Sequence, residues 1–169
     1  MTITAVHPTH KTGINLSEDV RERFIELLNA RLADSLDLSM QAKQAHWNVK
    51  GIDFYKLHLL VFLLHKIAEH AAEYVDLIAE RTTALGGIAM GTASLAARYS
   101  SLPEYNLNAV TCDEHLRALS QSLAKYGNLI REAVDDAEGL GDKGTADMFT
   151  EIARRADEDL YFLEVYLDE

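Results

Sequence analysis

The chain has 169 residues, 48% of them hydrophobic, with only 9 Gly and 2 Pro; this fits one globular domain and argues against a loop-rich all-β fold or a long disordered linker. Its 16 Lys and Arg stand against 27 Asp and Glu, a net charge of −11, which keeps a protein soluble, repels nucleic-acid phosphates and anionic membranes, and suits cations as partners. The single cysteine, Cys112, excludes an internal disulfide framework and a Cys-rich zinc site, and it suits a reducing, cytoplasmic setting.

Residues 1–16 are polar and irregular, with His7, Pro8, His10 and Gly13. They read as a flexible N-terminal arm ahead of a single domain over 17–169. The arm lacks the basic stretch and apolar run of a secretory signal. Its one basic side chain, Lys11, makes it a poor DNA-binding tail.

Ser17 is placed to cap a helix, with Glu18 and Asp19 at its positive end. Val20, Phe24, Leu27, Leu28, Leu32, Leu36 or Leu38, Ala42 and Ala45 follow at helical spacing. A helix of some 30 residues spans about 45 Å, and Gly51 is its expected end. A second long pattern runs from about Asp53 to Leu85, before Gly86 and Gly87. Its first half is so apolar that burial on most sides is expected. The most apolar run, Leu57 to Leu64, is far shorter than the roughly 18 residues of a membrane span.

Residues 86–110 break the long patterns, with a short helix expected within Thr92–Tyr99 and Pro103 blocking anything longer. Thr111-x-x-Glu114 then forms a capping box. Leu116, Leu119, Leu123, Tyr126, Ile130 and Val134 continue that helix to the turn at 138–142. A last helix runs from about Lys143 or Thr145 to near the C-terminus. These elements predict an all-α, ferritin-like four-helix bundle, with a long crossover carrying a short helix between helices two and three.

No phosphate loop, nucleophile elbow or His-Glu-x-x-His zinc motif is present, and Cys112 sits inside the capping box as a helix-start residue. Histidines carry the information. Of seven, four fall at His46, His58, His65 and His70, and the same stretch continues into Glu69, Glu73, Asp76 and Glu80. Steps of three, four or seven return to one helix face, so His58, His65, Glu69, Asp76 and Glu80 share a broad side of helix two. Imidazole with carboxylate suits first-row divalent ions, including ferrous iron and zinc. The same residues also suit a plainer role: Asp76, Glu80 and Arg81 as a solvated, salt-bridged face, and His58 as a satisfied core histidine. The Glu-x-x-His tetrapeptide of ferritin sites is absent. A dinuclear site, if the chain forms one, is then not the usual site inside one bundle; His46 and helix two could instead meet the ligands of a second subunit across a two-fold axis.

At Lys43-Gln-Ala-His46-Trp47-Asn48, followed by Gly51, Phe54 and Leu57-His58, the sequence resembles the Dps family, the miniferritins that protect DNA during starvation. The likeness resumes at Tyr74-Val-Asp76 through Glu80-Arg81, at Leu85-Gly86-Gly87, at Asp113-Glu-His-Leu and at Gly144-Thr-Ala-Asp147. The resemblance implies a hollow homo-dodecamer with ferroxidase sites at its two-fold interfaces. Fe(II) is oxidised there, by hydrogen peroxide in preference to oxygen, and stored as a ferric mineral. It implies His46 and His58 as ligands, facing Asp76 and Glu80 of a neighbour.

The family's acidic ligand four residues after the second histidine is replaced here by Phe62, which cannot bind metal. The stretch from His58 to Asp76 is also longer than the family's by three residues, so counting back from Asp76 puts His65 where that acid belongs. The expectation is a histidine-enriched site of His46, His58 and His65 facing Asp76 and Glu80, with either His58 or His65 as the firmer ligand. Such a site tolerates zinc as well as iron. Asp147 aligns with the family's three-fold pore region and Asp142 lies beside it; Asp142 also suits a helix cap and Asp147 a plain surface position. Without a basic tail, and with a strongly acidic shell, direct DNA binding is not expected.

Overall fold

The structure is a computed structural model that describes residues 10–50 and 54–167, with side chains at 10–50 and 59–167. Residues 1–9 of the arm, Gly51 and Asp53 lie outside the described residues. Among those described, five helices form: α1 (Glu18–Asn48), α2 (Phe54–Ala84), α3 (Ala93–Tyr99), α4 (Cys112–Gly139) and α5 (Lys143–Leu167). The four long ones make a ferritin-like bundle, with α3 on the crossover between α2 and α4. α1 packs chiefly on α2 and α4 chiefly on α5.

Local chemistry sets the ends. Ser17 Oγ accepts from the Val20 amide at 3.4 Å to start α1, and the capping box at α4 is complete, with Thr111 and Glu114 each accepting from the other's amide. α2 and α4 stop in the same way. Gly86 (φ 93°) and Gly141 (φ 83°) adopt the left-handed conformation that side chains resist. Gly87 then donates to Thr82 and Asp142 to Ala137, closing the last turns. Residues 10–16 form no helix or strand, but Ile14 and Leu16 pack against the core.

The core is the summed apolar stripes. Phe24, Leu28, Leu32 and Leu38 come from α1, Leu64, Ile67, Tyr74 and Ile78 from α2, Leu119, Leu123, Tyr126 and Ile130 from α4, and Phe149, Ile152 and Leu163 from α5. Of the two leucines open in the sequence, Leu38 is fully buried and Leu36 only half-buried. The apolar start of α2 departs from expectation: Leu60 and Leu64 are buried, whereas Leu59 is 60% and Phe62 59% exposed. A helix lying against one neighbour covers one face only, so alternate apolar residues remain outside. Met40 and Trp47 on α1 are exposed in the same way.

α1 also carries a buried polar ladder that ties down the crossover. Asn29 donates to the Ile88 carbonyl (3.0 Å) and accepts from the Met90 amide (2.8 Å). Asp34 accepts from the Ser101 amide (2.7 Å) and hydroxyl (3.1 Å), and it pairs with Arg31 at 3.0 Å. Ser100 donates to Asp37, and Gln41 to the Pro103 carbonyl. Burial pushes the Asp34 carboxyl up, with Arg31 and Ser101 holding it back. Asp34→Ala removes the acceptor for Ser101 and leaves the Arg31 guanidinium buried without its partner. Urea unfolding is expected to show a loss of about 3 kcal/mol.

Candidate metal centre

Side-chain contacts report how α1 and α2 lie against each other. Ser39 donates to the Ala68 carbonyl at 3.3 Å, Lys43 Nζ to His65 Nδ1 at 3.2 Å, and His46 Nδ1 lies 3.1 Å from the Val61 carbonyl. As positions on α1 rise, their partners on α2 fall, so the helices are antiparallel. This brings two of the expected ligands together: the rings of His46 and His65 have centroids 5.3 Å apart. Both are half-buried.

The partners assign the tautomers. A carbonyl only accepts, so His46 Nδ1 carries the proton and donates to Val61, leaving Nε2 unprotonated. A ring held through one nitrogen, with the other unprotonated, is the usual state of a metal-binding histidine. His65 is bound on both sides. The Lys43 ammonium only donates, so Nδ1 accepts; Nε2 then carries the proton toward Glu69 Oε1, 3.1 Å away. Lys66 meets the other oxygen of Glu69 at 2.7 Å and lies 5.8 Å over the Phe62 ring. The Lys66 hydrogen bond holds the Glu69 carboxyl below its usual range.

The other expected ligands lie apart. Asp76 and Glu80 are exposed on α2. Eleven residues separate Asp76 from His65, about 16 Å of helix. Position 58 is two turns before His65 on α2, and its side chain lies outside the described residues. Among the described residues, no three His, Cys, Asp or Glu side chains already converge on one point. Two other histidines are committed elsewhere. His70 Nδ1 meets both oxygens of Asp159, at 3.1 and 3.0 Å, and His115 Nδ1 meets the Tyr105 hydroxyl at 2.7 Å.

At the far end of the bundle, Asp142 caps α5. It accepts from the Gly144 amide at 3.1 Å and from Thr145, and it pairs with Arg81. Asp147 is exposed beside a shallow hollow lined by Glu138, Gly141 and Lys143.

Comparison with known proteins completes the picture. Residues 25–169 match the family model described as the ferritin-like domain. A DNA protection during starvation protein of Agrobacterium fabrum is 37% identical over 161 residues, covering 95% of this chain and 98% of that one. The chain belongs to the Dps family of ferritin-like proteins. The crystal structure of an archaeal Dps homologue from Halobacterium salinarum superimposes with a TM-score of 0.87 at 31% identity, covering 98% of this chain and 90% of that one. Dps from Microbacterium arborescens, solved in a high-iron form, gives a TM-score of 0.82 at 27% identity, with 95% and 100% covered.

Lys43 and Lys66 were not readable as partners of the site in the same way as its histidines. The Lys66–Glu69 spacing is visible in the sequence, but Lys43 meets His65 only through the register of two helices. Asp142 offers a direct test of its own environment. Burial works against its carboxylate, but hydrogen bonds from Thr145 and Arg81 outweigh that and hold the carboxyl below its ordinary value of 3.8. Its contribution is then fully present above pH 3.8 and is lost as pH falls through the lower folded value. Asp142→Asn is expected to be less stable than the native protein at neutral pH, by about 1–3 kcal/mol. The gap should close on acidification below pH 3.8 when unfolding is followed across pH.

Proposed function

We propose that this protein is an iron-storing ferroxidase that protects the cell from oxidative stress. Fe(II) is its substrate, held by His46, His65 and His58 of one subunit and Asp76 and Glu80 of another. The pairing of His46 and His65 carries this reading. Two imidazoles from different helices share a patch, one with an unprotonated Nε2, and the distal carboxylates Asp76 and Glu80 of the same chain lie too far along α2 to reach them. A single chain supplies two half-sites, and a second copy would complete each.

The apolar side chains left outside support the same assembly. Trp47 is 63% exposed and next to His46 in sequence; Met40, Leu59 and Phe62 accompany it on α1 and α2. Large exposed apolar residues around unfinished polar sites fit a subunit contact. The full assembly in this reading is the hollow dodecamer of the family, in the cytoplasm. Among the described residues, no helix is long and apolar enough to cross a membrane.

The chemistry follows from the ligands. Neutral imidazole supplies firm terminal ligands, while carboxylates bridge metals and stabilise the higher charge of Fe(III). Two Fe(II) ions each give one electron to hydrogen peroxide. The O–O bond breaks, two protons are taken up, and two waters leave, so no hydroxyl radical escapes. Oxygen is the slower oxidant in this scheme, and zinc competes for the same ligands. Asp147, exposed on α5, is the carboxylate available to an entry pore, whereas Asp142 is tied to Arg81 and Thr145.

A zinc-holding bundle without redox turnover is the alternative, and peroxide-driven Fe(II) oxidation separates the two. His46→Ala is expected to slow that oxidation by about 10–100-fold without changing particle size on a sizing column. A native rate in the variant would exclude His46 as a ligand. Protection in this reading works through iron, without direct DNA binding. A gel-shift titration at low salt is expected to show no retarded DNA, and tight complexes there would refute that part.

A further inference from the structure

Phe62 stands where the family places an acid, yet a carboxylate lies close by. His65 and Glu69 repeat the His-x-x-x-acid spacing seven residues further along α2, two turns on and on the same face. His65 Nε2 is 3.1 Å from Glu69, and the His65 ring is 5.3 Å from that of His46. We propose that Glu69 is a metal ligand, forming with His46 and His65 the half-site contributed by one chain. This rests on the reading of the α1–α2 patch as the ferroxidase site.

The two lysines support the assignment. Lewis-basic atoms of this set already hold cationic partners. The Lys43 ammonium sits 3.2 Å from the His65 Nδ1 lone pair, and the Lys66 ammonium 2.7 Å from Glu69 Oε2. Lys66 lies against an oxygen that a divalent ion would use, and Lys43 holds His65 in the tautomer that keeps a proton between Nε2 and Glu69; an ion bound by Nε2 and Glu69 replaces that proton, which moves to Nδ1 and dislodges the Lys43 ammonium. Both lysines have long, flexible stems reaching half-exposed or exposed positions, so each can retract to water. Metal entry is then an exchange of cations: ammonium leaves and the dication takes over. Two imidazoles and one carboxylate are also a set that suits ferrous iron with open positions for further ligands.

The exchange accounts for the absence of a ready-made cage among the described residues. Glu69 is turned toward His65 and Lys66. Phe62, under Lys66 at 5.8 Å, offers no oxygen where the family's acid stands, whereas the Glu69 carboxylate lies 3.1 Å from His65.

The test is a Co(II) titration of the assembled protein, read by the visible d–d bands that report both affinity and ligand set. Glu69→Gln keeps an oxygen to accept from His65 Nε2 but removes the anion. It is expected to weaken Co(II) binding by about tenfold or more and to change the band pattern. Glu69→Ala should do the same. Lys43→Met removes the competing cation at similar length and should tighten binding by about tenfold, while Lys43→Arg should not. Loss in Glu69→Ala without loss in Glu69→Gln would make Glu69 an orienting partner of His65 and overturn the assignment, as would native affinity and bands in both. If native protein and all variants fail to bind Co(II), and His46→Ala oxidises Fe(II) normally, the site reading itself fails. Weakening by His46→Ala but not by either Glu69 variant would refute the inference alone.

Discussion

α2 is one unbroken helix of 31 residues, and its rise limits what a single chain can do. Side chains at 65 and 76 stand about 16 Å apart along its axis. No rotamer closes that distance, and α1, lying antiparallel, adds His46 only to the end that already holds His65. Histidines and distal carboxylates are thus displayed as two separate groups on one rigid rod. Rigidity here has a use: two such rods crossing in opposite sense would set each group against the other's complement. The geometry of the proposed site would then depend on how subunits dock and on the α1–α2 register, and very little on loops.

That register needs the rest of the bundle to stay in order, and the crossover is where it is most at risk. A connection of some 25 residues between α2 and α4 has much conformational freedom to lose on folding. Apolar packing alone would leave its path degenerate. Asn29, Asp34, Asp37 and Gln41 remove the degeneracy by offering directional partners to Ile88, Met90, Ser100, Ser101 and Pro103. Ser122 joins from α4 by donating to Gln41. Buried polar groups of this kind add little net stability when satisfied but cost heavily when left alone. Their effect is to make one path much better than its neighbours.

The helices were legible because their signals are local. Ser17, the Thr111–Glu114 box, Gly86 and Gly141 each act within a turn or two, and the apolar stripes repeat at the period of the helix. The crossover helix was legible from Thr92 to Tyr99 for the same reason. The polar ladder was not. Asn29, Asp34, Asp37 and Gln41 recur at a spacing that suits a wet face as well as a buried one, and only the chain laid over them decides which. In the site, His46 and His65 were legible as chemistry but not as neighbours. Their meeting depends on the pairing of α1 with α2, which also brings Lys43 onto His65. Leu59 and Phe62 misled for a related reason: apolar content predicts burial, but the face they occupy is left exposed by the described residues.

An acidic protein with ammonium groups at the heart of its proposed cation site looks contradictory, but the charges answer different needs. Across the surface, excess carboxylate draws cations toward the particle over distances of about a Debye length. Within the site, an uncompensated cluster of carboxylates from two subunits would repel itself and resist assembly before any metal arrived. Imidazoles in place of an acid reduce that repulsion because they are neutral ligands. Lys43 and Lys66 reduce it further by placing positive charge against His65 and Glu69, and they do so on stems long enough to leave. If the proposed site forms between subunits, its charge is thereby nearer balance, and a dication would replace charge instead of adding to an imbalance. A site built this way binds its cation less tightly than bare carboxylates would. On the proposed function, that would suit a centre that passes oxidised iron onward and does not retain it.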